Sequence, residues 1–365
     1  MGLFVMVFTD VFTDVTSHGR KIPKSDYQTE GAYPIIDQGQ EKIAGYSDCQ
    51  EVFSDVPVIV FGDHTRKIKY IDEPFLLGAD GVKVLKPKLS NVNVKYLYYC
   101  LCNVKIPNTG YNRHFKFLKQ AAIAIPERKK QDNIVEILDE LVKIQELRNR
   151  EVLFLDELVK ARFMEQFDGK DYPVTSIKDM TDVVTKGTTP TTLGFEFVDS
   201  GVNFVKVENI TETGQILGDD LMHITLECHE KLNRSQLSEG DILFSIAGAI
   251  GRTAIVPKEI LPANTNQALA IIRLKKNAKV LKPYLLAALS SPYVERQYNN
   301  QKKGIAQINL TLKNISDLLI PIPDQAKQEQ FASFVEQNDK SKAAIQKSID
   351  ETQLLYDSLM QKYFG

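Results

Sequence analysis

The side chains best suited to metal or nucleophilic chemistry in this 365-residue chain are five histidines and four cysteines, and neither set has a working spacing. His18, His64, His114, His223 and His229 are scattered, and the closest pair, His223 and His229, suits no common metal motif. Cys49, Cys100, Cys102 and Cys228 form no C-x-x-C pair and no Cys/His cluster with zinc spacing. The stretch GAIGRT (248–253) has the glycines of a phosphate loop but lacks its lysine and its spacing. Base methylation would call for an Asn-Pro-Pro-aromatic motif or a glycine-rich strand-to-helix turn for S-adenosylmethionine, and the sequence has neither. Acidic residues are plentiful but fall into no spaced set that resembles a nuclease centre. The chain is therefore expected not to be an enzyme by itself.

Bulk properties point to two soluble domains. The chain is 43% hydrophobic and 25% charged, as ordinary globular proteins are, and its length suits two cores. A formal net charge of −2 shows no global basicity, so any polyanion would have to be met by local patches. The cysteines read as free thiols in a reducing cytoplasm. The opening MGLFVMVF reads as a first strand rather than a signal peptide. No apolar run approaches the ~18 residues of a membrane span.

The elements that must position any functional side chain are given twice. FLKQAAIAIPERKKQDNIVEIL (117–138) matches TLKNISDLLIPIPDQAKQEQFASFV (311–335), with Pro126 opposite Pro323 and Gln131 opposite Gln328. Gly110 precedes the first segment as Gly304 precedes the second. DVTSHGRKIP (14–23) echoes DVVTKGTTP (182–190), and LDELVKARF (155–163) echoes LYDSLMQKYF (355–364). The halves are about 1–168 and 169–365. Short β-branched and aromatic runs predict strands: VPVIVFGDH (56–64), YIDEPFLLG (70–78) and GVKVLKP (81–87) in the first half, NFVKVENI (203–210), GDILFSIAG (240–248) and QALAIIRLK (267–275) in the second. VKYLYYCLCN (94–103) and KPYLLAALSSPYVERQYN (282–299) predict helices.

Each half then ends in a long helix, its start marked by the proline of an Ile-Pro pair. Ile134, Leu138, Leu141, Gln145, Arg148, Val152, Leu155 and Val159 alternate by four and three. So do Phe331, Val335, Asn338, Lys342, Ile345, Ile349, Thr352, Tyr356, Leu359 and Tyr363. These are heptad seams with polar interruptions near the middle. The interval Gln131–Asp156 is about one turn shorter than Gln328–Asp357, which predicts a one-turn insertion in the second helix. A helix of ~35 residues is ~50 Å long, too long for one small domain, so two helices packed on each other are expected, running antiparallel and holding the domains apart if the halves are related by a pseudo-twofold axis.

The repeated Gly110–Gln131 and Gly304–Gln328 transitions, GTTPT (187–191), GDILFSIAGAIGRTAIV (240–256), NTNQALAIIRL (264–274) and the first-half counterpart at 56–87 together resemble the specificity subunits of Type I restriction–modification systems. The resemblance covers nearly the whole chain, although the stretch before Asp14-Val15 is short and lacks that family's aromatic-rich opening. It implies an α+β fold: two similar target-recognition domains of mixed β-sheet with helices (1–125 and 169–322), and two long antiparallel coiled-coil helices (126–168 and 323–365). It also implies that each domain reads one part of a two-part sequence in double-stranded DNA. Two methyltransferase subunits and the motor-nuclease subunits would be the partners, and S-adenosylmethionine, ATP and Mg²⁺ would belong to them. This chain itself would bind no cofactor or metal.

Base reading needs donors and acceptors on loops beside cations that seat the phosphates. The candidates in the first domain are Arg20, Lys21 and Lys24, then His64, Arg66, Lys67 and Lys69, then Tyr111, Asn112, Arg113 and His114. In the second they are Lys186, Thr188, Thr189 and Thr191, then Arg252, and Gln301, Lys302, Lys303, Gln307 and Asn309. Two other readings remain: a scaffold that joins proteins through its helices without reading DNA, and a nuclease or methyltransferase with an unfamiliar motif.

Overall fold

A computed structural model describes residues 4–79, 81–110, 112–211, 213–218, 220–299 and 309–365. The chain divides into two compact units, the first running up to Asn149 together with Lys347–Gly365 and the second spanning Arg150–Gln346.

The first unit opens with β1 (Phe4–Val7), α1 (Phe8–Val11) and β2 (Phe12–Asp14), followed by β3 (Tyr33–Ile36) and β4 (Gly45–Ser47). β5 (Val58–Gly62), β6 (Ile68–Ile71), β7 (Leu76–Leu77) and β8 (Val82–Pro87) come next. Then follow α2 (Val94–Cys102), α3 (Phe115–Leu118), β9 (Ala122–Ile125) and the start of α4 (Arg128–Phe167). The strands form three sheets, in the orders β2-β8-β5-β6, β4-β3-β7 and β1-β9. β3 and β7 run parallel, and the other pairs are antiparallel. β5 is buried along its whole length, which its β-branched and aromatic sequence suits. α2 starts where Asn93 caps it, its Oδ1 accepting from Lys95 N at 2.9 Å and Tyr96 N at 3.2 Å.

The second unit repeats this order. It contains β10 (Val174–Ser176), α5 (Ile177–Met180), β11 (Thr181–Lys186), β12 (Val202–Val205), β13 (Met222–Ile224) and α6 (Leu226–Lys231). Then come β14 (Ile242–Ser245), β15 (Thr253–Ile255), β16 (Ala263–Thr265) and β17 (Leu269–Leu274). α7 (Lys282–Leu289), α8 (Pro292–Asn299), α9 (Leu312–Ser316), β18 (Leu319–Pro321) and the start of α10 (Gln325–Phe364) follow. Its sheets, β11-β17-β14-β15, β13-β12-β16 and β10-β18, match those of the first unit strand for strand. The predicted single helix over 282–299 is two helices. The break falls at Ser290-Ser291, where the Ser291 hydroxyl donates to the Ala288 carbonyl at 2.6 Å.

One buried glutamine fastens each long helix to its own unit. Gln131 Oε1 accepts from Asn93 N at 2.8 Å and its Nε2 donates to the Pro126 carbonyl at 2.7 Å. Gln328 Oε1 accepts from Leu281 N at 2.9 Å, and its Nε2 donates to the Pro323 and Lys279 carbonyls, both at 3.0 Å. A tyrosine adds a second tie in each: Tyr96 to the Ala124 carbonyl at 2.8 Å and Tyr284 to the Pro321 carbonyl at 2.7 Å.

α4 and α10 are 40 residues each, ~60 Å of helix, so the expected one-turn insertion does not exist. Packing shows why the two ends were misaligned. Phe163 and Phe167 of α4 pack with Tyr284 and Phe331 of the second unit, whereas Met360 and Phe364 of α10 occupy the corresponding place in the first. The true partner of Phe163 is thus Met360, not Phe364. Each long helix gives its first part to one unit and its last part to the other.

Within each unit the two helices are antiparallel, and the polar residues of the seam meet across it. In the first, Gln145 Nε2 donates to Gln353 Oε1 at 2.8 Å, and Arg148 Nη1 donates to the Ser348 carbonyl and Thr352 Oγ1, both at 2.6 Å. In the second, the Lys342 ammonium meets Asp156 Oδ1, both groups largely buried. Such pairs fix the register that an all-apolar seam would leave free.

Candidate nucleic-acid interface

In the first unit the structure gathers one group of candidates around the turn from β5 to β6. Arg66 takes the left-handed conformation there (φ 63°) and its N–H closes the turn on the Gly62 carbonyl at 2.7 Å. The Arg66 guanidinium then reaches the Ile106 carbonyl at 3.4 Å. Asp63, on the same turn, is buried. Its carbonyl accepts from His114 N at 2.8 Å and its Oδ1 from Phe115 N at 2.7 Å. The turn carrying His64, Arg66 and Lys67 is therefore joined to the segment carrying Asn112 and Arg113, both of which are exposed. The Asn112 amide nitrogen donates to the Thr109 carbonyl, and the side chain is otherwise exposed.

Two candidates in this group are corrected. His114 is fully buried, and Lys69 is 7% exposed, so neither side chain can touch a base edge. Lys69 Nζ instead donates to the Asp37 carbonyl at 2.8 Å and lies 3.6 Å from Asp37 Oδ1. Burial lowers its ammonium below the ordinary lysine range, against the pull of Asp37. Its place on an inward-facing position of β6 explains this.

Arg20, Lys21 and Lys24 are exposed; Arg20 and Lys21 lie along β7, where Ile22 N donates to the Leu77 carbonyl at 2.8 Å and Leu77 N to the Arg20 carbonyl at 3.0 Å, and Lys24 opens the turn that follows. The Arg20 guanidinium is 3.8 Å from Glu51. Tyr111 lies outside the described residues.

The second unit builds the same place with other side chains. Thr188 N donates to the Thr265 carbonyl of β16 at 3.2 Å, and the Thr189 hydroxyl donates to Gln267. Gly187 makes this approach possible, because a Cβ there would stand 1.9 Å from the Thr265 carbonyl oxygen. Lys186 and Thr188 are half-buried, and Thr191 is exposed. In the β14–β15 turn, the Arg252 guanidinium donates to the Ile210 carbonyl at 3.2 Å. Leu310 N donates to the Ile246 carbonyl at 2.9 Å, the counterpart of the His114–Asp63 bond. That equivalence sets exposed Asn309 in the position of Arg113. Gln301, Lys302, Lys303 and Gln307 lie outside the described residues.

Sequence reasoning missed the residues that organise the first of these places. Gln38 Oε1 accepts from His64 N at 3.2 Å and its carbonyl from the Thr65 hydroxyl at 2.5 Å, which brings the β3–β4 loop to the turn. Asp63 was visible only as a carboxylate closing the apolar run VIVFG.

Among the described residues, no group of three or more His, Cys, Asp or Glu could hold a metal ion, and no helix is long and apolar enough to cross a membrane. The surface thus offers planar donors, hydroxyls and cations on short anchored loops, twice over.

Comparison with known proteins places the chain among related sequences and folds. The chain is 29% identical over 165 residues to the type I restriction enzyme EcoBI specificity subunit of Escherichia coli, a match covering 45% of this chain and 34% of that protein. It is 24% identical over 200 residues to the putative type I restriction enzyme MjaX specificity subunit of Methanocaldococcus jannaschii, covering 53% and 46%. The matched part thus spans between a third and a half of those relatives' length. The crystal structure of the type I restriction-modification system S subunit from M. genitalium superposes with a TM-score of 0.55 at 16% identity, over 100% of this chain and 96% of that one. The model of the type I restriction modification DNA specificity domain matches residues 5–153 and again 169–352. With two copies of that domain across most of its length, the chain belongs to the type I restriction modification DNA specificity family.

Proposed function

We propose that the chain is a non-catalytic recognition subunit that reads a two-part sequence in double-stranded DNA, one part with each unit. The observation that carries this reading is that the two units make an equivalent backbone anchor, His114 to Asp63 and Leu310 to Ile246, next to different side chains. One offers Asn112 and Arg113 where the chain is tied to the turn of Arg66 and Lys67, and the other offers Asn309 next to Leu310, which is tied to Ile246 ahead of the β14–β15 turn that carries Arg252. A fixed frame with exchanged tips suits two different base sequences. Asn and Arg match the paired major-groove groups of adenine and guanine, while the lysines and Arg20 seat phosphate. Lys21 and Lys24, with Lys186, belong to the same phosphate-seating group.

In this reading the chain directs methyltransferase subunits, two per chain, and motor-nuclease subunits to the site, and S-adenosylmethionine, ATP and Mg²⁺ are bound by those partners. The exposed apolar residues Leu153, Phe154 and Leu158 on α4 support a protein partner on the helices. They equally favour the second reading, a scaffold without base readout.

Sequencing the duplexes retained from a randomised pool by the chain with its methyltransferase separates the two. Two blocks of fixed bases with a constant unread gap are expected, whereas retention without a motif means the scaffold. Within such a motif, Arg113→Ala is expected to relax one position of one block by about 10- to 100-fold and leave the other block unchanged. A uniform loss across all sequences would make Arg113 a phosphate contact.

A further inference from the structure

The segment that presents Asn112 and Arg113 is held from beneath by a buried imidazole. His114 Nδ1 lies 3.0 Å from the Asp63 carbonyl oxygen. Its Nε2 lies 3.4 Å from Thr109 N and 3.2 Å from Thr109 Oγ1. A carbonyl can only accept and a backbone N–H can only donate, so both ends demand the same tautomer. Nδ1 carries the hydrogen, and Nε2 keeps its lone pair. The loop between is tight. Gly110 has φ 74°, its N–H donates to Asn108 Oδ1 at 3.2 Å, and Asn112 N donates to the Gly110 carbonyl at 2.8 Å. The Phe117 ring lies tilted beside the imidazole, with ring centroids 6.2 Å apart. The ionisable groups on the neighbouring elements include Asp63, His64, Arg66 and Lys67 on the turn and Arg113, Lys116 and Lys119 on the segment itself, with Lys119 and Lys83 of β8 over the Phe115 ring. Asp63 Oδ1 is occupied by Phe115 N. In the second unit the equivalent backbone bond is made by Leu310, whose buried side chain can form neither tie.

We propose that His114 is the positioning residue of the first unit's reading loop, bridging Thr109 to the β5–β6 turn so that Asn112 and Arg113 are presented in one pose, a pair of ties that the Leu310 side chain at the equivalent place cannot make. This rests on the DNA-reading function proposed above.

The test compares the full chain with His114→Leu, which copies the second unit, and His114→Gln, whose side-chain oxygen can still accept from Thr109 N. Amide hydrogen exchange over residues 106–117 is measured without DNA. Retention from the randomised duplex pool is measured in parallel. His114→Leu is expected to speed exchange at Thr109–Arg113 about tenfold, the worth of one bond of ~1.4 kcal/mol. Base preference in one block should relax by a similar factor while the other block holds, and His114→Gln should recover part of both. Unchanged exchange in His114→Leu, or equal loss in both blocks, overturns the proposal. If exchange responds as expected but the unaltered chain selects no motif, the bridge stands and the DNA-reading function falls.

Discussion

Replacing Gln328 with leucine lowers the stability of the second unit by about 3–5 kcal/mol, the sum expected when several buried polar groups lose their partners at ~1–3 kcal/mol each. The side chain is 1% exposed and makes three hydrogen bonds, one accepted from Leu281 N and two donated to the Lys279 and Pro323 carbonyls. Leucine fills similar space, so the loss comes from unmade bonds and not from a cavity. Gln131→Leu, which removes two such bonds in the first unit, should cost less. Urea unfolding followed by circular dichroism is the measurement, with each substitution displacing the transition of its own unit. An unmoved midpoint would mean that water replaces the amide, and that the glutamine is not the clasp described.

The second large effect concerns Asp241→Ala. Asp241 is 1% exposed and accepts from Arg273 Nε and Nη2, both at 2.7 Å, and from Ser238 N at 2.8 Å. Those hydrogen bonds raise the Arg273 guanidinium above its ordinary range. Removing the carboxylate leaves a cation over the central strand β17 with its counter-charge gone. A fully buried pair broken in this way costs ~3–5 kcal/mol. Arg273 is 37% exposed, so water screens part of the loss and about 2–3 kcal/mol is expected. Asp241→Asn, which keeps the shape and one acceptor, should fall between this variant and the unaltered chain. If thermal unfolding finds alanine and asparagine equally harmless, the pair contributes orientation but not stability.

Much of the architecture was legible because the repeat is carried by residues with fixed physical tasks. Pro126 and Pro323 sit just ahead of long helices, and Gln131 and Gln328 each tie a proline carbonyl to the start of an earlier helix. The same matching failed at the far ends of those helices. There LDELVKARF and LYDSLMQKYF were aligned on their final phenylalanines, yet the cores place Met360 opposite Phe163. Methionine and phenylalanine fill the same kind of pocket, so residue type could not reveal the register. The interface was harder to read. Lys69 and His114 have the composition of a DNA contact, but strand alternation buries one and a backbone carbonyl captures the other. Gln38 and Asp37 carry no signature at all, since their role depends on a β3–β4 loop that approaches only after folding.

The exchange of helix ends between the units has a consequence for the order in which the chain acquires structure. The second unit is contiguous in sequence, and everything that closes its core lies between Arg150 and Gln346. The first is not. Its core includes Met360, and Asn103 donates to the Phe364 carbonyl at 2.9 Å across a separation of 261 residues. Loop closure over that distance comes late. On a ribosome, the part translated first therefore waits with an open groove while the part translated second completes itself. The final turns of α10 are then expected to fill that groove.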